Sequence, residues 1–461
     1  MELRIDRQAL VPVVQQIVEA LTCWLRCNGV EPGARLPSVR QIARINLLSQ
    51  SCVAEACERL VAQGVLASRH GAGFVVAATA AAAQGHPQAV CFEGAEDKEG
   101  APSCELQLGG GGLPESWRET DDLAYAIRQV SRTDMAGLFN YSTPLGLPAL
   151  RRQILKRLKR LDISVEDSQI LTTSGASQAL DLIVRVLFKP GDSVVVESPG
   201  YPMLFDLLRL HGVTMLEVPR TPQGPDVAAL EALLLKHRPR GLFINSFHHN
   251  PTGCSLTSGV AQQVLQLAKE HGVQVIEDDV YADLHNGPGK RLAALDDCVI
   301  YVGSYSKTLS SSLRVGFVVA TSEVIAQLAE VKMISSLGAS RFCESVLACL
   351  LANGAYRKLV QRQRQRLNND RQAALQQLED ADWEVFGKPT GGLFIWARSR
   401  LPDYAQVRVQ ARRFGVVLSS ATAFDPAGAA NEWLRINVAC ACDPRARAFF
   451  QATARDRPQA F

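Results

Sequence analysis

Val299-Ile300-Tyr301-Val302-Gly303-Ser304-Tyr305-Ser306-Lys307 is an apolar, β-branched run that gives way to small polar residues and a lysine. Too short for a helix, it reads as a buried strand over Val299–Val302, with Lys307 just beyond the strand's carboxyl end. Three further runs have the same character: Val194–Val196, Leu242–Ile244 and Val273–Ile276. Helical patterns fill the intervals from Leu108 onward. That alternation predicts βα units on a mostly parallel sheet, an α/β fold. Ligands of such sheets lie outside the carboxyl ends of the strands, so Lys307 is placed where a ligand is held.

Around this stretch, short strings follow one another in a definite order. They are Gly175-Ala176-Ser177, Pro199-Gly200-Tyr201, Asn250-Pro251-Thr252-Gly253, Asp278-Asp279-Val280-Tyr281, Ser304-Tyr305-Ser306-Lys307, Arg314, and Leu434-Arg435-Ile436-Asn437. Singly, each has a plain explanation: a solvated strand end for the lysine, a helix cap for the aspartates, core aromatics for the tyrosines, a surface ion pair for Arg435. Their order decides otherwise. Over about 108 to 455 it resembles the fold-type I aminotransferases, which hold pyridoxal 5'-phosphate (PLP).

The resemblance implies a role for each residue. Lys307 supplies the amine for the cofactor's Schiff base. Asp278 is the anion that keeps the pyridine nitrogen protonated, and Tyr281 and Asn250 donate to the ring oxygen. Gly175, Ala176 and Ser177 open the apolar helix Ala179–Phe188, whose amides cradle the phosphate. Ser304, Ser306 and Arg314 are its other ligands, with the choice between the two serines left open. Tyr201 stacks on the ring. Tyr141 reaches the phosphate of a neighbouring subunit, which implies a homodimer. Arg435 binds an effector α-carboxylate through its bidentate fork. His248 and His249 read as loop residues, because nothing nearby has metal-ligand spacing.

Ahead of this domain, residues 1–78 form a separate pattern. Val13, Ile17, Ala20 and Leu21 share a helical face, Ser38 is placed to cap a second short helix, and Ser49 to cap a third carrying Val53, Ala56, Cys57 and Leu60. Gly64–Ser68 and Gly73–Val76, joined by Arg69-His70-Gly71-Ala72, read as a two-stranded wing. The whole resembles the GntR-type winged helix-turn-helix. Its third helix is then expected in the DNA major groove, with Arg40, Gln50, Ser51, Arg69 and His70 as the DNA-facing residues. Glutamine stands at position 50 where that family commonly has arginine, which favours adenine over guanine as its base partner. Eight arginines against six acids give the head a charge of only about +2, so binding should need two half-sites.

Length and composition set the frame. At 461 residues the chain exceeds one ordinary core, and 47% hydrophobic with 21% charged residues is usual for a globular protein. A net charge of +3 excludes a chain-wide nucleic-acid footprint. The 12 cysteines have no C-x-x-C pair, and the amino terminus carries charges where a signal peptide has its apolar core. A cytoplasmic protein without membrane segments or a metal site is expected. Between the halves, residues 79–107 hold five acids and one lysine with no apolar periodicity, the pattern of a flexible linker, although the alanine run at its start could extend a helix.

A GntR-like head (1–78), a linker (79–107) and an aminotransferase-like PLP-binding domain (108–461) together resemble the MocR family of bacterial regulators. The resemblance implies a homodimer that binds a double-stranded DNA operator and senses an amino compound, or PLP itself. Two other readings stay open: an aminotransferase with an accessory head, and a cofactor-holding scaffold without an amine ligand. The regulator ranks first, because a pure enzyme has no use for the head.

Overall fold

The computed structural model describes residues 13–27, 33–46, 48–62, 65–69, 73–76, 105–114, 117, 120–135, 139–285, 289–401, 404–429 and 431–454. The chain divides into two compact units. In the first, α1 (Val13–Cys27), α2 (Val39–Ile45) and α3 (Gln50–Ala62) precede a hairpin of β1 (Leu66–Arg69) and β2 (Gly73–Val76). Ile17 and Leu21 of α1 meet Ile42 of α2, Val53 and Leu60 of α3, and Leu66 and Val76 of the hairpin in one core. The caps form as expected. The Ser38 side chain accepts from the Gln41 amide while the Gln41 side chain accepts from the Ser38 amide, and Ser49 Oγ accepts from the Cys52 amide at 3.1 Å. Arg69 departs from the expected turn: it ends β1, opposite Gly73, whose φ of +80° lets the strand start there. His70 lies outside the described residues.

The second unit is built on an eight-stranded sheet. Its spatial order is β4 (Ile170–Thr173), β11 (Gly316–Val319), β10 (Ile300–Ser304), β9 (Gln274–Asp278), β8 (Gly241–Ile244), β5 (Ser193–Ser198), β6 (Thr214–Thr221) and β7 (Gly224–Pro225). From β10 through β6 every pair is parallel, whereas β11 runs antiparallel to both its neighbours. All four expected strands are present, shifted or extended by a residue or two. Alternation along β5 sends Val194 and Val196 to the face covered by the helix Gly175–Leu187, and Val195 to the face covered by Leu230, Leu234 and Val264. Helices on both faces follow from strands that are apolar on both sides.

A smaller antiparallel sheet places β13 (Phe394–Arg398) between β12 (Glu384–Val385) and β15 (Leu434–Asn437). The long helix Ala355–Asp380 supplies Leu367, Ala374 and Leu378 to the core it shares with Phe394 and Ile436. β3 (Leu106–Gln107) pairs in parallel with β14 (Val416–Val417). Strand pairing therefore begins at Leu106, inside the 79–107 stretch read as a linker. Two residues are too short to show a period, so composition alone marks them as linker. Among the described residues, no helix is long and apolar enough to cross a membrane.

Candidate functional site

The carboxyl ends of β4, β8, β9 and β10 converge on one cavity. Ala176, Ser177, Tyr201, Asn250 and Asp278 line it, with Tyr281, Ser304, Ser306, Lys307 and Arg314 opposite or beside them. Parallel strands bring residues more than a hundred positions apart to the same sheet edge, and this explains how an ordered set of strings becomes one site.

At one end of the cavity is a cradle for an anion. Gly175, with φ +80°, begins the helix Gly175–Leu187 and leaves its first amides facing outward. Arg314 Nη2 donates to the Ser174 carbonyl at 3.3 Å beside it. Ser304 Oγ accepts from the Ser306 amide at 3.1 Å, whereas the buried Ser306 hydroxyl has no partner among the described residues. An orphaned hydroxyl, a guanidinium and a helix start form the donor set that a phosphate dianion satisfies. The residues present therefore fit the phosphate of PLP.

Asp278 faces the cavity from the end of β9. Its Oδ1 accepts from the Val280 amide at 3.2 Å, and its carbonyl accepts from Asn245 Nδ2 at 2.7 Å. Burial pushes its carboxyl up to about 7, against the pull of that amide and of Lys307. A cationic ring nitrogen would lower it again. Asp279, next in sequence, turns the other way, where it accepts from Arg291 Nε at 2.9 Å and from the Tyr301 hydroxyl at 3.0 Å. The adjacent aspartates thus divide between the site and the core.

The same cavity is also lined by Asn245, Glu197 and His249, whose part in it sequence reasoning missed. Asn245 Oδ1 accepts from the Asn250 amide at 2.8 Å while its Nδ2 holds Asp278, so one side chain sets two site residues. Glu197 accepts from the Asn245 amide at 2.9 Å and from Arg220 Nη1. His249 Nε2 stands 3.5 Å from Glu197 Oε2, and burial holds the imidazole pKa well below its usual value, so the ring is neutral at pH 7. His248 and His249 are loop residues, as read, but both are buried. Asn245 was legible in principle, since it sits one residue past a recognised strand, as Lys307 sits just past another.

Residues 106–448 match the aminotransferase class I and II family. The chain belongs to that family. Residues 13–76 match the gntR family of bacterial regulatory proteins. YdfD, an uncharacterised HTH-type transcriptional regulator of Bacillus subtilis (strain 168), is 30% identical over 404 residues, covering 80% of this chain and 81% of its own. The 2-aminoadipate transaminase of Thermus thermophilus is 33% identical over 297 residues, 62% of this chain and 73% of that one. The solved structure of LysN, an α-aminoadipate aminotransferase of the same organism complexed with N-(5'-phosphopyridoxyl)-L-leucine, superposes with a TM-score of 0.69. It is 28% identical and covers 76% of this chain and 92% of LysN. A gntR head before an aminotransferase class I and II body is the MocR-type arrangement, and the fold-type I architecture is as expected.

Three expected residues of this class I and II family member lie off the cavity wall: Gly175, which just precedes Ala176, then Tyr141 and Arg435. Tyr141 is 77% exposed. Arg435, on β15, is buried between Phe394 and Phe424, with its guanidinium 4.6 Å and 4.9 Å from their ring centroids. Its Nε and Nη2 donate to the Gly109 carbonyl at 3.1 Å and 2.7 Å, and Nη1 donates to Asn250 Oδ1 at 2.9 Å. Lys307 Nζ donates to the Gly111 carbonyl at 3.0 Å. The segment Gly109–Gly112, passed over in the sequence, thus meets both side chains. In the gntR unit, Arg40 on α2 and Gln50 and Ser51 at the start of α3 are exposed.

Proposed function

We propose that this protein is a cytoplasmic, DNA-binding transcriptional regulator whose aminotransferase-family unit binds PLP and responds to an amino compound or to PLP itself. The observation that carries the reading is the single cavity that gathers Lys307, Asp278 and the cradle with its orphaned Ser306 hydroxyl, in a chain that also bears a winged helix-turn-helix.

When bound, PLP supplies an aldehyde for amines and a ring that withdraws electrons. Each residue has a matching task. Lys307 holds the cofactor covalently through its amine, and Asp278 holds the proton on the ring nitrogen. Asn250 gives its Oδ1 to Arg435, so its amide nitrogen is the end left to donate to the ring oxygen beside Tyr281. Gly175, Ala176, Ser177, Ser304, Ser306 and Arg314 bind the phosphate, and Tyr201 covers the ring. Tyr141, exposed in one chain, reaches the neighbouring subunit's phosphate in a homodimer.

Arg40, Gln50, Ser51, Arg69 and His70 meet the operator. The head's small charge makes one head a weak binder, so the dimer engages two half-sites. Control requires that the ligand favour one arrangement of the heads over another. Aminotransferase turnover is the second reading, favoured by the presence of both the lysine and the aspartate such chemistry uses.

A footprint of the upstream intergenic region with cofactor-free and PLP-loaded protein tests the proposal. Protection that changes with PLP or with an added amine is expected, and no protection in either state overturns it.

A further inference from the structure

We propose that Tyr356 and Gln363, on one face of the long helix Ala355–Asp380, are positioning residues for Lys307, and that they act by gripping its neighbour Thr308. The inference rests on the reading that Lys307 holds PLP.

Thr308 follows the lysine directly, yet it is buried whereas Lys307 is half-buried. The long helix takes both of its hydrogen-bonding oxygens. The Thr308 hydroxyl lies 2.6 Å from the Tyr356 hydroxyl, and its carbonyl accepts from Gln363 Nε2 at 2.7 Å. Tyr356 and Gln363 are seven positions apart, two helical turns, so they share a face. One rigid element thus holds Thr308 at two points, once on its side chain and once on its main chain.

The direction of the first bond is fixed by what lies behind it. The Tyr356 hydroxyl donates to Asp283 Oδ2, and burial beside that carboxylate pushes the phenol pKa well above its usual value, so the proton stays on oxygen. A phenol has one proton to give. With that proton directed at Asp283, Tyr356 accepts from Thr308, whose hydroxyl is the donor. Asp283 is held in turn, by Arg157 Nε at 2.8 Å on its carboxylate and by Arg364 Nε on its carbonyl.

Packing stiffens the grip. The Tyr356 ring meets the ring of Tyr305 edge-on at 5.5 Å, so the helix touches residues on both sides of Lys307 in the chain. Further along, Leu367, Ala374 and Leu378 lock the same helix into the core with Phe394 and Ile436. A lysine amine rides on a flexible four-carbon stem, so its reach depends on where its backbone is set. Backbone held by a helix keeps that setting more closely than a free loop does. None of these contacts uses Lys307 Nζ, so all of them are compatible with an amine bonded to the cofactor.

The test compares PLP with pyridoxamine 5'-phosphate on the full chain, reading affinity by cofactor absorbance. PLP condenses with the Lys307 amine and releases water; pyridoxamine 5'-phosphate carries an amine in place of the aldehyde and does not. Tyr356→Phe, Thr308→Val and Gln363→Leu should each weaken PLP binding by at least about tenfold, roughly 1.4 kcal/mol, and leave pyridoxamine 5'-phosphate binding as in the wild type. Thr308→Ser keeps the hydroxyl and should match wild type with both. The Tyr356→Phe, Thr308→Val double variant should lose no more than either single one, because both remove the same bond. Gln363 Oε1 has no partner among the described residues, so leucine there removes the donor to Thr308 with little other loss, which keeps the test open should Tyr356→Phe unfold. Equal weakening of both cofactors, or no weakening of PLP in Thr308→Val and Gln363→Leu, overturns the inference alone. A wild type that binds neither cofactor overturns the functional reading instead.

Discussion

Gly175 and Arg314 share one space: a methyl group on Gly175 would stand 2.6 Å from Arg314 Nη2. Both residues have positive φ, +80° and +48°. Glycine adopts that conformation at no steric cost and arginine only when its surroundings hold it there. The first turn of the phosphate-facing helix and the guanidinium beside it therefore form one unit. Gly316 completes it, since a Cβ there would lie 2.6 Å from the Gly175 carbonyl carbon.

Gly175→Ala should accordingly push Arg314 out of the cradle and strain the helix start. PLP affinity should fall by at least about tenfold, read by titrating cofactor absorbance. Arg314→Ala should produce a similar loss, and the double variant should add little, because both remove the same contact. Independent, additive losses would contradict the shared space.

The carboxyl of Asp278 is raised from 3.8 to about 7 by burial, so the folded, cofactor-free protein keeps a proton there that the unfolded chain releases near pH 4. Stability from this group is present at low pH and declines as pH rises from about 4 through about 7. Glu277 is pushed to about 7 as well, by burial and by Asp279, and titrates in the same window. The comparison with Asp278→Asn isolates the effect: the variant should show a shallower decline in denaturant midpoint over that range. Because the ring nitrogen favours ionised Asp278, PLP affinity should rise as pH passes about 7 in the wild type, and Asp278→Asn should lose that rise.

Glu344 is fully buried and accepts from Ser142 Oγ, Thr172 Oγ1 and the Leu147 amide, the last at 3.0 Å. It holds the turn that presents Tyr141. Glu344→Ala takes the acceptor from the buried Ser142 hydroxyl and the part-buried Leu147 amide, leaving Thr172 Oγ1 only the Leu145 carbonyl at 3.4 Å, and should destabilise the unit by about 2–5 kcal/mol, seen as an earlier urea midpoint. Glu344→Gln, which keeps one acceptor, should cost less. A midpoint unmoved by the alanine variant would contradict the assignment.

In the head, Gln50 begins α3 and is exposed, where a side chain can meet a base edge. Gln50→Arg should move the preferred base at one position of each half-site from adenine to guanine, a discrimination of about 1–3 kcal/mol. Selection from a randomised operator pool reads this directly. An identical preferred operator for both proteins would place Gln50 off the bases.

Much of the molecule was legible because its signals are local. Ser38 with Gln41 is a capping box three residues long, and the strands around Val194–Val196 and Leu242–Ile244 announce themselves by composition. Lys307 stands just past such a strand, where parallel sheets put ligands, and the order of the strings then assigned it and Asp278 their roles. Tyr141 and Arg435 were named from family order, and order says nothing about whether a side chain faces the cavity.

What the sequence determined by itself was the two-part plan, the parallel sheet and the lysine at its edge. Each follows from residues close together in the chain. The division of labour between Asp278 and Asp279, the bridging by Asn245, and the hold of Gly109–Gly112 on Lys307 and Arg435 were decided by the tertiary structure alone. Gly111 and Lys307 are 196 positions apart, and Gly109 and Arg435 are 326 apart. A carbonyl is the same acceptor at every position. Only packing selects which buried donor it meets, because each such donor must find a partner once water is gone.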